Sequence, residues 1–153
     1  MHSWYFLIFS SKHEMATETA FVEVSGTKFA YRLIGTPSTS ATPPLVLLQH
    51  FRGTMSHWDP AFLYLLSRSS PVLLFDYAGV GQSTDSVRDN FLDFAKDVIS
   101  VLQALNIPTI DLLGFSIGGF VAQLVTLQAP DLVRELILAG TGPSAGEGLE
   151  SGP

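Results

Sequence analysis

Residues Ile110–Gln123 read I-D-L-L-G-F-S-I-G-G-F-V-A-Q, and no other stretch restricts the fold of this chain as tightly. An apolar run enters Gly114-Phe115-Ser116-Ile117-Gly118 and continues straight into a helical pattern. Strand, sharp turn and helix in that order are the setting in which a G-x-S-x-G segment forms a nucleophile elbow. The turn strains the serine backbone at the end of the strand and points its hydroxyl outward. The flanking glycines let neighbouring backbone pass close to the bend. Ser116 is therefore the candidate nucleophile, with Gly114 and Gly118 as the elbow glycines. A plain helix N-cap is the simpler reading of a serine at this place. The two readings are compatible, but a cap needs no glycines beside it. The backbone N–H of Ile117 falls at a helix N-terminus, where it can donate to a developing oxyanion and gains from the helix dipole.

The rest of the chain supplies an alternating series of elements. Thr19–Val24 and Lys28–Leu33 alternate around Ser25-Gly26-Thr27 and predict two short antiparallel strands. Leu45–Gln49 and Pro71–Phe75 are continuous apolar runs, as strands buried on both faces are. A short helix is expected over Trp58–Leu66. Asn90–Leu105 carries Phe91, Phe94, Ala95, Val98, Leu102 and Leu105 at helical steps, and Pro108 follows its end. Ile110–Leu113 is the strand into the elbow, Ile117–Gln128 the helix after it, and Leu132–Ala139 one more strand. The order β-β-β-α-β-α-β-α-β predicts an α/β fold with a mostly parallel sheet and helices on both faces. Residues 1–14 read as a loose extension ahead of Met15, 15–142 as the core domain, and 143–153 as an unstructured tail. The apolar run Trp4–Phe9 has no Lys or Arg before it, so a secretion signal is not convincing, and a cytoplasmic location is the default expectation. No stretch is long and apolar enough to span a membrane.

Net charge is −6 with no basic patch, so nucleic acid is not an expected partner. Cysteine is absent, which excludes disulfides and thiolate metal sites. No His, Asp or Glu pair has metal-ligand spacing. Neither G-V-G-Q-S nor G-F-S-I-G-G fits a dinucleotide fingerprint or a P-loop, so a nucleotide-binding domain is disfavoured and no cofactor is expected. The loop after the first parallel strand, Gln49-His50-Phe51-Arg52-Gly53, is where a second oxyanion donor belongs. Phe51 is the expected donor, with Arg52 the alternative. His50 is read as ordering this loop by hydrogen bonds rather than as a base, and His57 as part of the start of the next helix. Asp76, at the end of a strand, is read as holding backbone N–H groups of the Gly79/Gly81 loop, with a catalytic role the alternative.

From about Phe21 to Gly146 the chain resembles the α/β-hydrolase superfamily. Three segments carry the resemblance: Leu47-Leu48-Gln49-His50-Phe51 on the family's oxyanion strand and loop, Phe75–Ser83 on its D-x-x-G-x-G-x-S loop, and Gly114–Gly119 on its elbow. The first departs from the usual His-Gly pair by placing Gln49 and His50 there. G-F-S-x-G-G is similar to the esterase, perhydrolase and carbon–carbon hydrolase branches, and Ser116 sets the chain apart from the branches that use Asp. The resemblance implies acyl transfer from a small ester-like substrate to Ser116, followed by hydrolysis by water.

The resemblance also implies an acid and a histidine after the elbow, beyond a lid region. All four histidines, His2, His13, His50 and His57, precede Ser116. The expectation is thus an N-terminal portion of the hydrolase fold, truncated after the strand following the elbow helix and inactive alone. The alternative is a non-catalytic half-fold serving as a binding module. In either case the last strand would be an open sheet edge, available for self-association or a complementing partner.

Overall fold

The computed structural model describes residues 18–35 and 42–143. Six strands form one sheet in the order β1-β2-β4-β3-β5-β6. β1 (Ala20–Val24) and β2 (Thr27–Ile34) make an antiparallel hairpin. Ser25 and Gly26, both at positive φ, form its two-residue turn, which matches the natural twist of the strands. β2 runs antiparallel to β4 (Val72–Phe75), while β4, β3 (Leu45–Leu48), β5 (Ile110–Phe115) and β6 (Val133–Ala139) are mutually parallel.

The apolar runs become buried strands because successive residues serve opposite layers. Val46, Leu48, Leu73, Phe75, Ile110 and Leu112 face one core, packed under α2 (Phe91–Ala104) and α3 (Ile117–Gln128). Leu45, Leu47, Val72, Leu74 and Leu113 face the other, with Leu63 of α1 (Pro60–Ser67). Helices therefore cover both faces, as expected. α2 begins where Asn90 accepts a hydrogen bond from the Asp93 amide, with Asp93 in the first turn.

The boundaries differ in places for local reasons. α1 starts at Pro60, not Trp58, because Asp59 caps the Ala61 and Phe62 amides and proline suits the first helical position. Met55–His57 forms a single 3₁₀ turn before it. β5 extends to Phe115, two residues beyond Leu113, because Gly114 and Phe115 still pair with Leu138 and Ala139. The expected extension at 1–14 and all of the expected tail except Pro143 lie outside the described residues. Among the described residues no helix is long and apolar enough to cross a membrane.

Candidate active site around Ser116

The sharpest local feature is Ser116 itself. Its backbone sits at φ 56° and ψ −122°, between the last residue of β5 and the first of α3. That conformation is left-handed and costly for a residue with a Cβ, on the order of 1–3 kcal/mol. Its surroundings hold it there. The Ser116 amide donates to the Ala139 carbonyl at 3.0 Å, and the Ser116 carbonyl accepts from the Gly119 amide at 2.9 Å. The hydroxyl makes no capping bond to the helix, so the simple N-cap reading fails and the side chain is left for other use.

The flanking glycines permit this bend through close packing. A Cβ on Gly114 would strike the Gly118 carbonyl and the Gly119 and Ala122 carbons. A Cβ on Gly118 would strike the carbonyls of Leu48 and Gln49. The first turn of α3 is thus pressed against the end of β3, which brings the elbow beside the loop that β3 feeds.

That loop is closed by its own hydrogen bonds. Gln49, 4% exposed, accepts from the His50 amide at 3.0 Å and donates to the Thr54 carbonyl at 3.3 Å. The Gly53 amide donates to the His50 carbonyl at 2.9 Å. Phe51 stands out at 64% exposure, and Arg52 takes a positive φ of 57°. Phe51, Arg52 and Ile117 line one cavity, so the two segments expected to supply oxyanion donors do converge.

His50 and His57 belong to the loop and the turn after it. The Phe51 carbonyl lies 3.0 Å from His50 Nδ1, and His57 Nδ1 accepts from the Thr54 amide at 2.8 Å. Both rings form an aromatic wall with Phe115: His50 lies 5.8 Å from His57 and 6.0 Å from Phe115, centroid to centroid.

Asp76 is buried and carries a larger part than its motif suggests. Its Oδ2 accepts from the Gln82 amide at 3.0 Å, within the Gly79/Gly81 loop as expected. Its Oδ1 accepts from the Met55 amide at 2.8 Å, at the far end of the Gln49–Thr54 loop. One carboxylate therefore ties together the two loops that border the cavity. Burial with both oxygens bonded to backbone suits a brace rather than a base.

The comparisons agree with this fold. The profile of the alpha/beta hydrolase fold matches residues 43–152. The chain belongs to the α/β-hydrolase fold family. A proline iminopeptidase from Pestalotiopsis fici is 34% identical over 128 residues, covering 81% of this chain and 44% of that protein. A Haemophilus influenzae protein named for esterase or lipase activity is 28% identical over 142 residues, covering 93% and 49%. An α/β-hydrolase fold protein from Chitinophaga pinensis superposes with a TM-score of 0.81 at 38% identity, covering 86% of this chain and 47% of its own. The chain thus spans about half the length of the relatives it matches.

Proposed function

We propose that this α/β-hydrolase chain carries the nucleophile and the oxyanion donors of a serine hydrolase that cleaves small ester-like substrates. The strained backbone of Ser116 at the mouth of α3 is the observation that carries this reading. The esterase- or lipase-named relative favours esters. In the proposed reaction Ser116 Oγ attacks the acyl carbonyl carbon, and the carbonyl oxygen takes up negative charge. The amides of Ile117 and Phe51 receive that charge, and the N-terminus of α3 favours it. The alkoxide leaving group departs with a proton, and water then releases the acyl group from Ser116.

A base must accept the Ser116 proton. His50 and His57 are not read as that base, since no hydrogen bond joins either ring to the Ser116 hydroxyl, and the lone pair of His57 Nδ1 already accepts from the Thr54 amide. The proposed base comes from outside the described residues.

The test treats the chain and its Ser116→Ala variant with a fluorophosphonate, with and without free imidazole as a substitute base. Folding is followed by circular dichroism. The expected result is Ser116-dependent labelling that imidazole accelerates. Folded chain that shows no Ser116-dependent labelling under either condition would overturn the reading. Strong labelling without imidazole would place the base within this chain, and His50 and His57 would be the first to replace.

A second reading, a binding module, is favoured by one observation. Leu136, Ile137 and Leu138 of the edge strand β6 are 36%, 45% and 44% exposed, an apolar strip with no strand beyond it among the described residues. Under that reading Ser116→Ala would leave function intact.

A further inference from the structure

Arg32 lies within β2, two residues from Ala30 on one side and from Ile34 on the other. Alternate residues of a strand share a face, so the Arg32 side chain leaves the sheet on the side of Ala30 and Ile34, which belong to the second core with Leu63 of α1. Its bonds are two: Nε donates to Thr19 Oγ1 at 3.0 Å and Nη1 to Ser56 Oγ at 3.4 Å. Arg32 and Arg88 are the half-buried arginines among the described residues. Arg88 holds the carboxylates of Asp85 and Asp97 at 2.8 and 2.7 Å. Arg32 has two neutral hydroxyls instead and, among the described residues, no carboxylate. A guanidinium keeps its charge wherever it sits, and two hydroxyls return only part of the hydration it loses.

Arg32 and Ser56 line a cavity of about 170 Å³ on this face, and the bond between them places the guanidinium at its wall. No other residue of the lining is charged. Ile34, Met55, Leu63 and Leu74, all from the second core, give the cavity an apolar floor. Trp58 and Pro60 complete it, and the Trp58 ring is held by Phe62 at 5.9 Å and by Phe115 at 6.2 Å. Asp59, between those two in sequence, turns its carboxylate to the Ala61 and Phe62 amides. The cavity shares no residue with the one lined by Phe51 and Ile117. It is smaller than the roughly 300–1,000 Å³ of a drug-sized site, so it suits a ligand of one ring.

We propose that this cavity binds a small aromatic carboxylate, with the carboxylate on the Arg32 guanidinium and the ring between Trp58 and the apolar floor. Nε and one hydrogen of Nη1 are already in use, which leaves Nη2 and the second hydrogen of Nη1. Those two donors form a fork whose spacing matches the two oxygens of a carboxylate. A single cation suits a monoanion, and the apolar floor suits a ring better than a phosphate. The site stands apart from the nucleophile, and no step of the hydrolytic reading passes through it.

The test is an equilibrium titration of the 153-residue chain with benzoate and with benzamide, which has nearly the same shape and no charge. Binding is followed by NMR at the Trp58 indole N–H, assigned with Trp58→Phe. The wild type is expected to favour benzoate, and Arg32→Met to lower that preference about tenfold, the size of one charge-assisted hydrogen bond. Arg32→Gln, which keeps a donor for Ser56 without the charge, is expected to do the same and decides the matter if Arg32→Met does not fold. An unchanged preference in the folded variant, no binding of benzoate to the wild type, or binding that leaves the Trp58 indole signal unmoved would each overturn the proposal. So would benzoate binding that appears only in Glu14→Gln, because the anion for Arg32 would then come from the chain itself. Ser116→Ala is expected to bind benzoate as the wild type does, so this proposal and the hydrolytic reading can fail separately.

Discussion

β5 and β6 lie side by side, run parallel and have similar apolar sequences, I-D-L-L-G-F and V-R-E-L-I-L-A, yet they live in different surroundings. Every residue of β5 from Ile110 to Gly114 is buried, whereas no residue of β6 is. β5 has a strand on each side, α2 and α3 packing on one face, and the smaller core on the other. Among the described residues β6 has a strand on one side only. The contrast shows that burial in a parallel sheet comes from neighbours on every side, and a strand's own composition does not guarantee it. The two strands meet at an irregularity: the register skips Arg134, so Ile110 faces Val133 and Asp111 faces Glu135. The extra residue is used, because Arg134 Nε donates to the Asp111 carboxylate at 2.8 Å.

The largest expected effect tests the burial contrast itself. Leu112→Ala in β5 removes a side chain with 0% exposure and is expected to cost about 2–5 kcal/mol. Leu138→Ala in β6, at 44% exposure, is expected to cost less than about 1 kcal/mol. Urea denaturation midpoints for the two variants would measure the difference, and equal losses would erase the distinction between the strands.

A second pair sharpens the contrast at the strand ends. Gly114→Ala drives a methyl into the backbone of α3, an overpacking worth about 1–3 kcal/mol or more. Gly140→Ala, just after β6, meets only the edge of the Phe115 ring and the penalty of its positive φ of 57°, about 1–2 kcal/mol. Thermal melts should rank Gly114→Ala as the more damaging, and should show it also losing any labelling at Ser116.

Arg134→Met probes the one ion pair that joins the two strands among the described residues. Asp111, 7% exposed, would keep its charge and lose its partner. A modest fall in the denaturation midpoint is expected, and Asp111→Asn added to Arg134→Met should recover part of it. If the double variant is no better than the single, the pair contributes nothing to joining β6.

The smallest effect concerns the open edge. Ile137→Lys places a charge on a half-exposed apolar position and should change stability by no more than about 0.5 kcal/mol. It should nonetheless reduce any concentration-dependent association seen by analytical ultracentrifugation. Unchanged association would place the contact elsewhere.

The sequence was most informative where the physics is local. The element order, the buried strands and the Ser116 bend all follow from periodicity, glycine placement and the helix start at Ile117. Asp59-Pro60 was an available start signal for α1, and the apolar Trp58 before it obscured the boundary. Less could be read where a side chain reaches across the fold. Half of the role of Asp76, its bond within the Gly79/Gly81 loop, was legible; its bond to Met55, 21 residues away, was not. Gln49 stood out only as a departure from a familiar pattern, although it is the residue that closes its loop. The Arg134–Asp111 pair depends on a register skip that no periodicity announces.

Asp76 also has a consequence for how the two loops move in time. Loop amides usually exchange their hydrogens with solvent quickly, since local openings there are frequent. The Met55 and Gln82 amides share one buried acceptor, so neither can open to solvent by itself without disturbing a carboxylate that the other also uses. In deuterium exchange the two should therefore be slow for loop positions and lose protection together, and Asp76→Asn should let their rates drift apart. Two stretches of chain far apart in sequence would then keep a single clock.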